Sequence, residues 1–329
     1  MATLLAVTSS RQARPAPMIY ISNEHGHSVS VLDPATNRVV GTIPIRGRPR
    51  GIHMAADGRT LFVAVSHIYG SKDTTLEGID GIDVATRTVV LHFPSGTDPE
   101  QFGISPDGQH LYVSNEDAGT ATVVDIPGRR DIATAVVGIE PEGIAVSPDG
   151  RWVYVTAETS NTVTVIDGRT NKPVSSFLVG VRPRAAAFTP DGRRAFVTAE
   201  VGGTMSVVDV RSERVIRTVP TGPGTPKPVG VTLSPDGRKV YVANGHNNTV
   251  TVFDAATCRL LATIPVGIRP WGVALNADGS RLYTANGVSN DVSVVDTHSN
   301  TVIARVPVEQ APWGVAIAPA PRPVTHRRD

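Results

Sequence analysis

His53 occupies a position whose equivalents, met at a regular interval along the chain, are Gly103, Ala145, Ala187, Thr232, Ala274 and Ala316. An imidazole where packing asks for a small residue suits a general base or a metal ligand. Gln101 departs in the same way from Gly51, Gly143, Ala185, Gly230, Gly272 and Gly314. Next to these positions, after a recurring proline, stand Arg50, Glu100, Glu142, Arg184, Val229, Trp271 and Trp313. A second series reads Glu24, Ser66, Glu116, Glu158, Glu200, Gly245 and Gly287, and the residues that follow it include His25, His67 and His246. Carboxylates beside imidazole suit acid–base work or a divalent ion. Guanidiniums hold carboxylates bidentately. Paired Trp residues offer a stacking platform. Each feature has a plainer alternative: a satisfied structural histidine, Arg and Glu pairing with each other, and Trp packed between structural units.

The interval comes from a turn signature, AADG at 55–58, SPDG at 105–108, 147–150 and 234–237, TPDG at 189–192 and NADG at 276–279, repeated every 42–50 residues. A fixed period of this length marks a repeat architecture. The unit from 141 to 180 contains four short β-type runs, GIAVS, WVYVTA, TVTVID and PVSSFLV, separated by PDG, TSN and GRTNK. Four antiparallel strands per unit without helical periodicity is one blade of a β-propeller. Six full units begin near 50, 100, 142, 184, 229 and 271. The segment from Met18 supplies three further strands and the closing PWGVAIAP a fourth, so the expected fold is all-β, a seven-bladed ring closed by both chain ends. Closure hides sheet edges. The expected domain runs from 18 to 319, with loose tails at 1–17 and 320–329.

Two recurring residue types belong to this scaffold. Tyr20, Phe62, Tyr112, Tyr154, Phe196, Tyr241 and Tyr283 share one second-strand position and fill space between blades. Asp33, Asp83, Asp125, Asp167, Asp209, Asp254 and Asp296 end the third strand, where Asx turns suit them. In such a meander the PDG and DxxT turns share one face, and the proline connections and Glu-opened loops share the other. The second face varies and is charged, so it is expected to line the mouth of a central channel. There the loop between Ser66 and Asp83 holds 16 residues where its counterpart between Glu158 and Asp167 holds 8. The extension reads as a lid or selectivity element, or as a tolerated surface insertion.

The strings YVSN (112–115), YVTA (154–157) and YVAN (241–244), each followed by a VTVID-like strand, resemble the YVTN family of β-propellers over about residues 18–319. More narrowly, RLYTANGVSNDVSVVD and the closing PWGVAI look like the subfamily associated with pyrroloquinoline-quinone-dependent alcohol catabolism. The resemblance implies a bacterial seven-bladed ring but no reaction, and it does not make the chain a quinoprotein.

Charge is balanced, 31 basic against 30 acidic residues, which gives no support to nucleic-acid binding. The single Cys258 rules out an internal disulfide. No apolar run is long enough for a membrane span, and MATLLAVTSSRQARPAP makes a poor signal peptide. A cytoplasmic location follows from that N-terminus, a periplasmic or secreted one from the habit of the subfamily. Nucleotide-loop, nucleophile-elbow, zincin and EF-hand motifs are all missing.

Two functions stay in competition. One is a monomeric propeller that binds a small polar ligand or a protein partner at the charged mouth, through Arg50, His67, Glu100, Glu116, Arg184, Glu200, His246, Trp271 and Trp313. The other is a lyase, isomerase or hydrolase in the same funnel, with His53 as base or metal ligand, Glu142 or Glu158 assisting and Gln101 orienting the substrate. Neither needs an organic cofactor, and a divalent metal fits the second.

Overall fold

A computed structural model of the chain describes residues 17–71 and 73–318. Seven four-stranded antiparallel sheets form a ring of blades. Blade one joins Pro312–Ile317, as its innermost strand, to Ile19–Asn23, Ser28–Asp33 and Arg38–Pro44. Blades two to seven follow at residues 48–93, 99–136, 141–178, 183–220, 228–265 and 270–307. The expected seven-bladed ring and its closure by strands from both ends are therefore present. The tails expected at 1–17 and 320–329 lie outside the described residues, apart from Pro17.

The core lies between blades, because alternating Val, Ile and aromatic side chains on each sheet can be buried only against the next one. Tyr154, for example, packs with Val163 and Val165 of its own blade and with Ala195 and Val197 of blade five. The seven recurring aromatics are all buried. The strand-ending aspartates cap the following turns: Asp167 Oδ1 accepts from the backbone N–H of Arg169 and Thr170 at 2.8 and 3.2 Å, and Asp83, Asp209, Asp254 and Asp296 do the same.

One irregularity recurs in every blade and aims the site. Each innermost strand bulges just after its proline: Pro141 pairs with Ala157, but the next pair is Ile144 with Val155. The same shift occurs in the other six. A bulge inserts one residue and re-aims its neighbours. Here it turns the residue after proline toward the channel mouth. Glycine at the following position lets the next blade approach: a Cβ on Gly143 would lie 2.2 Å from the carbonyl oxygen of Arg184.

Candidate functional site

The bulges are fixed by a hydroxyl on the second strand. Thr156 Oγ1 accepts from the Gly143 N–H of its own blade at 2.8 Å and donates to the Arg184 carbonyl of the next at 3.2 Å. Ser22 does this for Gly314 and Arg50, Ser114 for Gln101 and Glu142, and Thr198 for Ala185 and Val229. All four hydroxyl residues are buried. The equivalents in the remaining blades are Ala64, Ala243 and Ala285. Arg50, Glu142 and Arg184 thus sit on clamped backbone.

The mouth is a cavity of about 660 Å³ lined by Arg50, Glu100, Glu116, Glu142, Arg184, Trp271 and Trp313, together with Glu24, His25, Tyr69, Asp98, Arg182 and Arg269. Below it the channel narrows to about 150 Å³ between His53, Gln101 and the inner strands. The after-proline ring is divided. Blades two to five contribute Arg50, Glu100, Glu142 and Arg184; blades six, seven and one contribute Val229, Trp271 and Trp313. One arc is ionic and the other apolar.

Two ion-pair clusters fill the ionic arc. Arg50, buried, contacts Glu24 at 3.2 Å, Asp98 at 3.7 Å, Glu116 at 3.4 Å and also Glu100. Arg184 meets Glu200 at 2.8 Å and also Glu142 and Glu158, while Arg182 reaches Glu158 at 2.5 Å and Glu200 at 3.5 Å. Around the mouth stand seven carboxyl groups (Glu24, Asp98, Glu100, Glu116, Glu142, Glu158, Glu200) and five guanidiniums (Arg48, Arg50, Arg182, Arg184, Arg269), an acidic excess of two. Two carboxyls hold protons correspondingly tightly. Burial, with the nearby Glu142 charge, pushes Glu158 up to about 8, and burial, Glu142 and Asp98 push Glu116 up to about 7. Burial works in the same sense on Glu200, but Arg184, Arg182 and Arg269 outweigh it and hold that carboxyl below its ordinary range.

On the apolar arc the Trp271 and Trp313 rings lie 6.0 Å apart at 44°. Arg184 and Arg269 place their guanidinium carbons 5.1 and 4.8 Å from the Trp271 ring centre. In the channel, the open face of His53 meets the lumen, and its ring stands edge-on to Phe102 at 4.9 Å. Although His53 is open to the lumen, the surrounding channel wall desolvates the imidazole and lowers it to about 4, so it is neutral at pH 7. The Gln101 side chain folds back over Gly51, and its Oε1 is buried without a hydrogen-bond partner.

Of the residues singled out from sequence, Arg50, Glu100, Glu116, Glu142, Arg184, Trp271 and Trp313 meet at the mouth, with Glu158 and Glu200 directly behind Arg184. His53 and Gln101 meet in the channel below. His67 and His246 do not line the cavity, although a His67 ring nitrogen comes within 4.8 Å of a carboxylate oxygen of Asp98, which does. His67 Nδ1 bonds Glu77 within its own loop, and exposed His246 bonds Thr225 at 2.9–3.0 Å. The paired-charge alternative describes Arg50 and Arg184 as they stand: both are enclosed by carboxylates.

Arg48 and Tyr69 escaped the sequence reading. In six blades the residue before proline, such as Glu140 or Arg269, adopts a left-handed φ of 46–59°. Arg48 does not, and its side chain turns inward to Glu24 at 2.8 Å and Asp98 at 2.9 Å. The extended loop lays Tyr69 over that guanidinium at 3.8 Å. Carboxylate oxygens of Asp98, Glu100 and Glu116 come within 4.8 Å of one another, as metal ligands would. Arg50 already contacts all three, so the local cation is the guanidinium.

Residues 170–305 match the model of the family described as lactonase, 7-bladed beta-propeller, and residues 79–183 match the cytochrome D1 heme domain. Each match covers less than half of the chain. A stretch of 103 residues is 28% identical to antigen Lp49 of Leptospira interrogans, over 30% of this chain and only 23% of that protein. Among solved structures, hydrazine synthase of Kuenenia stuttgartiensis superposes with a TM-score of 0.76 at 22% identity, covering 90% of this chain and 99% of that one. The periplasmic gluconolactonase of Pseudomonas aeruginosa gives 0.76 at 21%, covering 92% and 99%. A putative 6-phosphogluconolactonase of Bacteroides fragilis gives 0.77 at 17%, covering 94% and 99%. At these identities the likeness is one of fold.

Proposed function

We propose that the mouth binds a small polyhydroxylated molecule with one apolar face, of the sugar or sugar-lactone kind. The observation that carries the reading is the divided ring: Arg50, Glu100, Glu142 and Arg184 face Trp271 and Trp313 across one cavity of about 660 Å³. A cavity of that size suits a small ligand. The Trp pair stacks against C–H faces, and the carboxylates and guanidiniums meet hydroxyls on the other side. The partial match to a lactonase model points the same way. A thermal-shift and calorimetric panel of aldoses, polyols and aldonolactones tests it. Binding weakened by Trp271→Ala and Trp313→Ala is expected; a panel in which nothing binds sinks the reading.

A second reading, lactone hydrolysis, is favoured by Glu116, which lines the cavity with a pKa of about 7. A carboxyl so poised serves as general base toward water near neutral pH. His53, neutral and deeper, is the alternative base. Turnover abolished by Glu116→Gln but not by His53→Ala would favour Glu116, and the reverse would favour His53.

The haem-domain likeness spans residues 79–183 only. The histidines within residues 79–183 are His92, bonded to Asp80 at 2.8 Å, and His110, on the strand paired with Asp125, and neither lines the mouth. Haem iron takes an axial His, Cys, Met or Tyr, and His25 and Tyr69, which do line the mouth, lie outside the matched stretch. The finer resemblance, to propellers associated with alcohol catabolism, is kept as a proposal about ancestry only.

A further inference from the structure

Five guanidiniums surround the mouth, and four are spoken for. Arg48, Arg50, Arg182 and Arg184 each make salt bridges to carboxylates. Arg269 makes none among the described residues, although it is half-buried and lines the same cavity. Glu200, whose carboxyl it helps hold below the ordinary range, is already bonded to Arg184 and Arg182.

Arg269 is also held in place. Its backbone N–H donates to Asn248 Oδ1 at 2.9 Å, and its carbonyl accepts from the Gly287 N–H at 2.9 Å. Its guanidinium rests on the Trp271 ring at 4.8 Å. A guanidinium laid against an aromatic ring keeps its in-plane N–H edge open for a planar anion, and little further ordering is needed on binding.

We infer that Arg269 receives a single anionic group, a carboxylate, on the ligand whose body stacks against Trp271 and Trp313. The ligand class is then a hydroxy acid of the sugar-acid kind rather than a neutral sugar. This rests on the reading of the mouth as a small-molecule site. The ionic arc is closed to such a group, because Arg50 and Arg184 are enclosed by carboxylates that would repel it. A ligand carboxylate at Arg269 leaves its hydroxyl-bearing carbons facing that arc.

Calorimetry on the full chain with two matched pairs, D-glucuronate against D-glucose and D-gluconate against D-glucitol, tests the inference. The acid of at least one pair is expected to bind about tenfold tighter than its neutral partner, with the advantage shrinking as salt rises. Arg269→Gln should reduce that advantage to within about twofold, and Arg269→Lys should leave part of it. The melting temperature of Arg269→Gln should stay near that of the parent, since the residue makes no salt bridge among the described residues and Glu200 keeps its bonds to Arg184 and Arg182. Neutral partners that bind as tightly as acids, or an acid advantage that survives Arg269→Gln, overturn the inference while the mouth reading stands. If no member of either pair binds, both fall together.

Discussion

Ser114 and Glu142 belong to neighbouring blades, and the serine Oγ donates to the glutamate carbonyl at 2.6 Å. Through this contact one blade sets the backbone of a buried carboxyl residue that its neighbour contributes to the mouth. It is one of four such clamps, and three of them hold a charged mouth residue.

Thr156→Val keeps the shape and deletes the hydroxyl of the clamp on Arg184. The Gly143 N–H and the Arg184 carbonyl lose a buried partner, so a loss of about 1–3 kcal/mol is expected. In a chain of this size that is a fall of several degrees in melting temperature, about 2–4 °C per kcal/mol. An unchanged melting curve would show the clamp to be idle.

Glu158 should make stability fall on the alkaline side. Its folded pKa of about 8 lies above the ordinary carboxyl range, so the folded state holds a proton that the unfolded chain releases. Stabilisation from this group is complete at acid pH and is lost as pH rises toward and through 8. Glu158→Gln, a permanent mimic of the protonated form, should match the parent near pH 4 and melt increasingly higher than it as pH rises toward about 8, the difference levelling off above that. A mutant with the same pH profile as the parent would remove Glu158 from that account.

His53 has the opposite sign. Its imidazole, lowered to about 4, takes up a proton less readily folded than unfolded. The stability it confers is present above the ordinary histidine range and drains away as pH falls from about 6.5 toward 4. His53→Gln should flatten that acid-side loss, and the ring resonances of His53 in the parent should stay in the neutral form at pH 5. A titration midpoint near 6.5 would contradict this.

Arg184→Met should cost far more than a surface equivalent. It strands Glu142 and Glu200, and leaving buried carboxylates uncompensated costs about 3–5 kcal/mol. Arg193→Met, at an exposed pair 3.9 Å from Asp191, should cost about 0–1 kcal/mol. The deficit of Arg184→Met should narrow as pH is lowered and the stranded carboxyls protonate. Equal losses in the two variants would mean that the Arg184 cluster is not buried in solution.

The repeat made both the ring and most of the mouth legible. Once seven copies are in register, a position reading Arg, Glu, Glu, Arg, Val, Trp, Trp stands out, and the bulge after proline carries those residues to one place. The register fails where the chain leaves it. Arg48 has the same place in the repeat as Glu140, yet its different φ turns the side chain inward, and a one-letter alignment carries no φ. Tyr69 lies in the inserted loop, which has no counterpart to compare. His67 and His246 share a register with His25, but nearer partners hold them: Glu77 in the same loop as His67, and Thr225 in the connection before Pro228 for His246. The clamping hydroxyls were in view as the third letter of YVSN and YVTA; their role depends on a neighbouring blade, which no single repeat displays.

Blade one takes its innermost strand from Pro312–Ile317 and the rest from residues 19–44, and the Gly314 N–H bonds Ser22 across 292 residues. Ser22 in turn clamps Arg50, and Trp313 supplies one side of the mouth. A nascent chain stopped at blade seven has nearly all the scaffold and an incomplete pocket. The mouth is therefore completed only by the last strand of the ring, and its finished lining certifies that the ring has shut.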